Sequence, residues 1–173
     1  MRAKTNITSL CKRFIIMASV IAFSSAAIYA QPPHPPRPVR IDPTAQGLAF
    51  GAFYGGAAGG TVVITPSSTR SATGDVILFG LGFVYTAALF EVHAHPGTVI
   101  SILNGPDAIL TGSPSGSMTL HIGDSNPASP FVRTLQFNVP QPLYIGGTLT
   151  VGNPAANPPG SYTGTFDITL VQE

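Results

Sequence analysis

From residue 46 onward the chain alternates short β-branched or aromatic runs with Gly, Pro, Asn and Ser punctuation. That spacing is typical of a sandwich or barrel. The clearest run is 162–171. Tyr162, Gly164, Phe166, Ile168 and Leu170 fall on one face, and Thr163, Thr165, Asp167 and Thr169 on the other. A strand with this period-two pattern buries one face and wets the other. The same reading predicts strands at 48–53, 61–65, 76–83, 88–93, 98–103, 117–122, 132–139 and 148–151. No stretch after residue 30 carries a helical period. Gly-Gly pairs at 55–56, 59–60 and 146–147, with Asn104-Gly105 and Pro96-Gly97, predict turns. The expected fold is all-β, an immunoglobulin-like antiparallel β-sandwich over residues 46–173.

The first residues follow a different pattern. Residues 1–13 hold Arg2, Lys4, Lys12 and Arg13 with no acid, an apolar run follows from Phe14 to Phe23, and small residues lead to Ala30. This predicts a secretory signal peptide over residues 1–30, with cleavage after Ala30 or Ala27. The apolar run is about half the ~20 residues needed to span a bilayer, so no membrane span is expected once the leader is removed. Residues 31–43 carry a proline at almost every second place, which favours extended polyproline geometry. Residues 31–45 therefore read as a semi-rigid linker.

Loss of the leader changes the charge. Four of the eight basic residues go with it and all seven acids stay, so the formal net charge moves from +1 to −3. The remaining chain has no lysine, and its arginines, Arg37, Arg40, Arg70 and Arg133, are dispersed. The basic footprint of a nucleic-acid binder is missing. The sole cysteine, Cys11, lies in the leader, so the exported chain holds neither disulfides nor a thiol nucleophile.

Several ordered segments resemble the bacterial family named domain of unknown function 4402, which looks related to pilus-type adhesin sandwiches. They are Leu48-Ala49-Phe50-Gly51, Gly59-Gly60-Thr61-Val62-Val63-Ile64-Thr65-Pro66, Arg70-Ser71-Ala72-Thr73-Gly74-Asp75-Val76, Phe90-Glu91-Val92 and Pro96-Gly97-Thr98. Gly147-Thr148-Leu149-Thr150-Val151-Gly152 and the run from Gly160 to Leu170 complete the pattern. The resemblance implies a fimbria-related sandwich in an exported bacterial protein, and it brings no catalytic residues. Chaperone-usher pilus subunits similarly carry a glycine fourteen residues from the terminus, where Gly160 stands, but Gln172 occupies the place of their aromatic. Their N-terminal extension donates a strand to a neighbour, whereas prolines in 31–43 cannot donate to a ladder. A tip, capping or stand-alone surface role follows more easily.

Candidate chemistry is sparse. His93 and His95 share a strand face at a spacing that can chelate a metal if His121 or Glu91 approaches. The blander reading, half-exposed histidines before a turn, is preferred, and no cofactor or metal is expected. Asp124-Ser125-Asn126 lacks the Gly and distal Glu of a calcium loop and reads as a turn. The Gly112-Ser113-Pro114-Ser115-Gly116 segment places proline where a nucleophile elbow needs serine. Without a lysine there is no phosphate-gripping P-loop. The dispersed acids Asp75, Glu91, Asp107, Asp124 and Asp167 read as solvation rather than a glycosidase pair. Tyr54, Tyr85, Tyr144 and Tyr162 would make a sugar-stacking platform only if exposed together, and they read as core or rim.

Two functions compete. The first is an exported, non-enzymatic surface or fimbria-like structural or adhesion protein that assembles or attaches through unpaired strand edges. Its partners are proteins or further copies of itself at the cell surface. On this reading Asp167→Lys, or proline at Ile168, abolishes folding or assembly. The alternative is a monomeric periplasmic or secreted module that binds a small ligand or glycan through loops at 104–117 and 124–130.

Overall fold

A computed structural model describes residues 37–113 and 115–173. The expected signal peptide, the first part of the linker and Pro114 lie outside the described residues. In chain order the strands are β1 (Arg40–Pro43), β2 (Ala49–Phe50), β3 (Ala52–Ile64), β4 (Arg70–Phe79), β5 (Tyr85–Thr86), β6 (Ala88–His93) and β7 (Val99–Asn104). They continue with β8 (Ala108–Ser113), β9 (Ser117–Asn126), β10 (Phe131–Val132), β11 (Gln141–Val151), β12 (Ser161–Thr163) and β13 (Ile168–Gln172). No described residue is helical. The fold is all-β, as expected.

The spine of the large sheet is β11, whose Leu143, Ile145, Leu149 and Val151 are buried. One side of β11 pairs with β9. The other pairs first with β6 and then with β3. Beyond β9 lie β8 and β12, beyond β6 lies β1, and beyond β3 lies β4, all antiparallel. A smaller sheet runs β10-β7-β13. From it Ile100 and Phe131 join the same core as Val62, Ile64, Val92, Leu143, Ile145 and Leu149. Burial of this apolar face is the main favourable term holding the sheets together.

The structure revises several element boundaries. Arg40–Pro43, read as the end of the linker, pairs with β6, with Ile41 opposite Val92 and Pro43 at the strand end, where a missing N–H is tolerated. Run 162–171 is not one strand. β12 pairs with β8 in the large sheet and β13 pairs with β7 in the small one. The alternation survives the crossing: Phe166, Ile168 and Leu170 pack against the core while Thr165, Asp167 and Thr169 are exposed. Run 132–139 is a strand only at Val132, because Arg133 turns inward and holds the rest as a loop.

All three Gly-Gly pairs predicted as turns lie at irregular points inside strands. The β3–β4 register shifts between Gly55 and Gly60, and the β11–β9 register between Ile145 and Gly147. A Cβ on Gly60 would stand 2.1 Å from the Thr73 carbonyl oxygen, and one on Gly146 2.4 Å from that of Ile64. The glycines permit close backbone approach at a bulge, not reversal.

Candidate interaction edge

Strands β3 and β4 form the longest hairpin of the fold. Past its register shift, Phe53 faces Leu78, Tyr54 faces Ile77 and Ala52 faces Phe79. The inward set, Phe53, Val76 and Leu78, packs against the core. The outward set does not. Tyr54 is 48% exposed, Ile77 55% and Phe79 41%. The chain then continues through Leu81, Phe83, Val84 and Tyr85, which are exposed by 68, 66, 68 and 44%. Seven large exposed apolar side chains thus lie at the open end of this hairpin or in the chain that directly follows it.

Arg70, at the start of β4, fixes this end. Its guanidinium donates to the carbonyls of Phe50 (3.1 Å), Ala52 (3.2 Å) and Phe79 (2.9 Å). It also lies 4.4 Å from the Tyr85 ring centroid, in cation–π range. Gly51 makes room for it: φ is +69°, and a Cβ there would stand 2.5 Å from Arg70 Nη1. The hairpin end is therefore held by charge-assisted bonds that also turn its one cation away from solvent.

Among the described residues β4 pairs with β3 alone, so its other side presents free N–H and C=O groups. β1, β12 and β13 are likewise single-partnered among the described residues. Natural edges are commonly blunted by charges, prolines or covering loops. Residues 76–90 contain no charged residue and no proline. The flanking acid is already engaged, since the Ala58 N–H donates to Asp75 Oδ2 at 3.3 Å.

The metal candidates do not converge. His93 Nδ1 donates to the Phe137 carbonyl at 3.0 Å, and its Nε2 lies 3.5 Å from Asp42 Oδ2. His95 is exposed, with its ring 5.3 Å from that of Phe137. His121 sits on β9, on the far side of β11 from β6, and its Nδ1 is 2.7 Å from Asp107 Oδ1. Among the described residues no three His, Cys, Asp or Glu side chains gather as ligands. Asp124-Ser125-Asn126, read as a turn, is instead the end of β9. The loop expected at 104–117 contains β8. Tyr144 and Tyr162 are half-buried, and the Tyr162 hydroxyl donates to Pro158 O at 2.8 Å. Only Tyr54 and Tyr85 of the four tyrosines are exposed.

The residue that sequence reasoning missed is Arg133. It is fully buried, and among the described residues no carboxylate pairs with it. Its donors reach Gln141 Oε1 (2.9 Å) and the carbonyls of Gln136 (3.2 Å), Ala94 (3.4 Å) and Val139. Burial pushes its pKa down, but from a value so high that the group stays charged. A cleft at the β11 bulge, lined by Ile64, Thr65, Pro66, Gly123, Asp124 and Thr148, measures about 140 Å³. Drug-sized ligands occupy pockets of ~300–1,000 Å³.

The fold and this edge define an all-β protein of curled antiparallel sheets with an apolar, uncapped hairpin. Residues 40–171 match the family described as a domain of unknown function (DUF4402), and the chain belongs to that family. No curated protein and no solved structure matches.

Proposed function

We propose that this is an exported, non-enzymatic bacterial surface protein, fimbria-like in its construction, that works by strand-mediated assembly or attachment. The observation that carries the reading is the β4 edge: backbone groups free on one side, no charge from 76 to 90, and a cluster of exposed apolar side chains at its end. An exposed apolar patch of this kind marks an interaction site. Export is supported by the leader pattern of residues 1–30, and a chain whose sole cysteine lies in that leader suits an oxidising compartment. Among the described residues no helix is long and apolar enough to cross a membrane.

A second reading, a monomeric module for a glycan, draws on the exposure of Tyr54 and Tyr85 at the same end. The size distribution of material sheared from intact cells separates the two. Assembly predicts dimers or larger species in the sheared fraction. A single monomeric species there, retained on glycan resin, would replace the first reading with the second.

A further inference from the structure

We infer that the partner of the β4 edge is a second copy of this chain, paired antiparallel along β4 about a two-fold axis near Ile77. The inference rests on the strand-mediated reading above and names its partner. An axis perpendicular to the sheet at Ile77 sets Ile77 against its own copy, Val76 against Leu78 and Asp75 against Phe79. Residues of the same face meet, as antiparallel pairing requires. Val76 and Leu78 extend the core side of the joined sheet, and Ile77 and Phe79 form a continuous outer strip with Tyr54.

The size of the patch fits this occupant. A large side chain exposes ~200 Å² when free, so the exposed fractions of Tyr54, Ile77, Phe79, Leu81, Phe83, Val84 and Tyr85 amount to roughly 700–800 Å². A stable interface buries about 800 Å² per partner, whereas the largest patch on a typical monomer is ~300–600 Å². Charge points the same way. In an isologous interface each patch meets itself, so any charge near the axis would meet its like. The patch has none. Its nearest acids, the two Asp75 carboxylates, would stand about four residues apart along the seam, ~13 Å, beyond a Debye length of ~8 Å at physiological salt.

The same neutrality disfavours other occupants. A hetero-partner steered by charge finds no complementary group here. An anionic membrane surface would be met by lysines or free arginines, and Arg70 instead donates inward to three carbonyls. Because the two-fold closes on itself, the product is a dimer and not an open filament.

The test is sedimentation and light scattering on the processed product of the full chain, unsubstituted and as Ile77→Lys. The expected result is a particle of twice the protomer mass that dissociates on dilution, and an Ile77→Lys protein that stays monomeric with an unchanged circular dichroism spectrum and melting curve. Ile77→Cys, treated with a short bifunctional thiol reagent, should yield a covalent dimer. Ile109→Cys, 57% exposed at residue 109 but on β8, should not. A dimer or filament that persists in Ile77→Lys would overturn this geometry while leaving strand-mediated assembly standing. An unsubstituted protein that is monomeric at every concentration, whether free, bound to phosphatidylethanolamine–phosphatidylglycerol vesicles or complexed one-to-one with a different polypeptide, would overturn the second copy as partner. If the material sheared from cells is also monomeric, the assembly reading falls with it.

Discussion

Arg133 is a cation held by carbonyl and amide oxygens alone. Its four acceptors come from Ala94, one residue past β6, from Gln141, at the start of β11, and from Gln136 and Val139 in the loop between β10 and β11. One side chain therefore fixes a loop that hydrophobic alternation reads as a strand. Replacing it with methionine fills the space but leaves those acceptors without donors. The cost expected is about 3 kcal/mol, because several acceptors lose their donor and a buried group left unsatisfied costs about 1–3 kcal/mol. Chemical denaturation of Arg133→Met should show this as a lower midpoint with an unchanged slope. The loss should be the same at mildly acidic and neutral pH. Burial lowers the pKa and so penalises the charged folded form, but that shift operates only near the guanidinium's own very high range. None of this is legible in the sequence, where Arg133 is one dispersed arginine among four. Nothing in a period-two pattern distinguishes a solvated cation from one wrapped in carbonyls.

At the scale of elements, legibility follows burial. β6 has the predicted bounds, because Ala88 and Val92 are buried in a strand flanked on both sides. β7 and β9 begin within a residue of expectation for the same reason. β8 is missed: Ala108 and Leu110 point inward, but Asn104-Gly105 before it and a Ser-Gly turn after it make the region read as loop. The long strand at 162–171 is misread because alternation records which face is buried and not which sheet buries it. The expectation for Asp167 changes accordingly. Its carboxylate is exposed outside any strand, and only its main-chain oxygen is used, accepting from Gly105 N at 2.9 Å. Asp167→Lys should therefore be close to neutral, within about 0.5 kcal/mol. Val171→Pro, inside β13 opposite Ser101 and in step with the bond from Glu173 N–H to Val99 O, should remove a ladder donor and leave a backbone acceptor unpaired, costing about 1–3 kcal/mol. Melting curves of the two variants check both statements, and a large loss in Asp167→Lys would contradict the split of this strand.

Taken whole, the molecule combines a well-satisfied core with poorly protected margins. No buried side-chain polar atom lacks a hydrogen-bond partner among the described residues. By contrast, β4 carries a row of free backbone groups beside exposed Ile77 and Phe79, then Leu81, Phe83 and Val84. Natural sheets tolerate such an edge when something covers it. The uncharged run of 76–90 was the available sequence signal for this site, but hydropathy alone reads it as a strand destined for the core. What sequence could not supply is that β3 carries this strand out past the register shift at Gly55, where inward residues find the core and outward ones find nothing. The function proposed here depends on that margin being closed at the cell surface. Hydrogen–deuterium exchange reads it directly, comparing material sheared from cells with the same protein diluted in solution. Outward-facing amides of residues 76–79 should exchange roughly tenfold or more slowly in the sheared material, while those of β6 and β11 are unchanged. Equal exchange at 76–79 in both samples would contradict it.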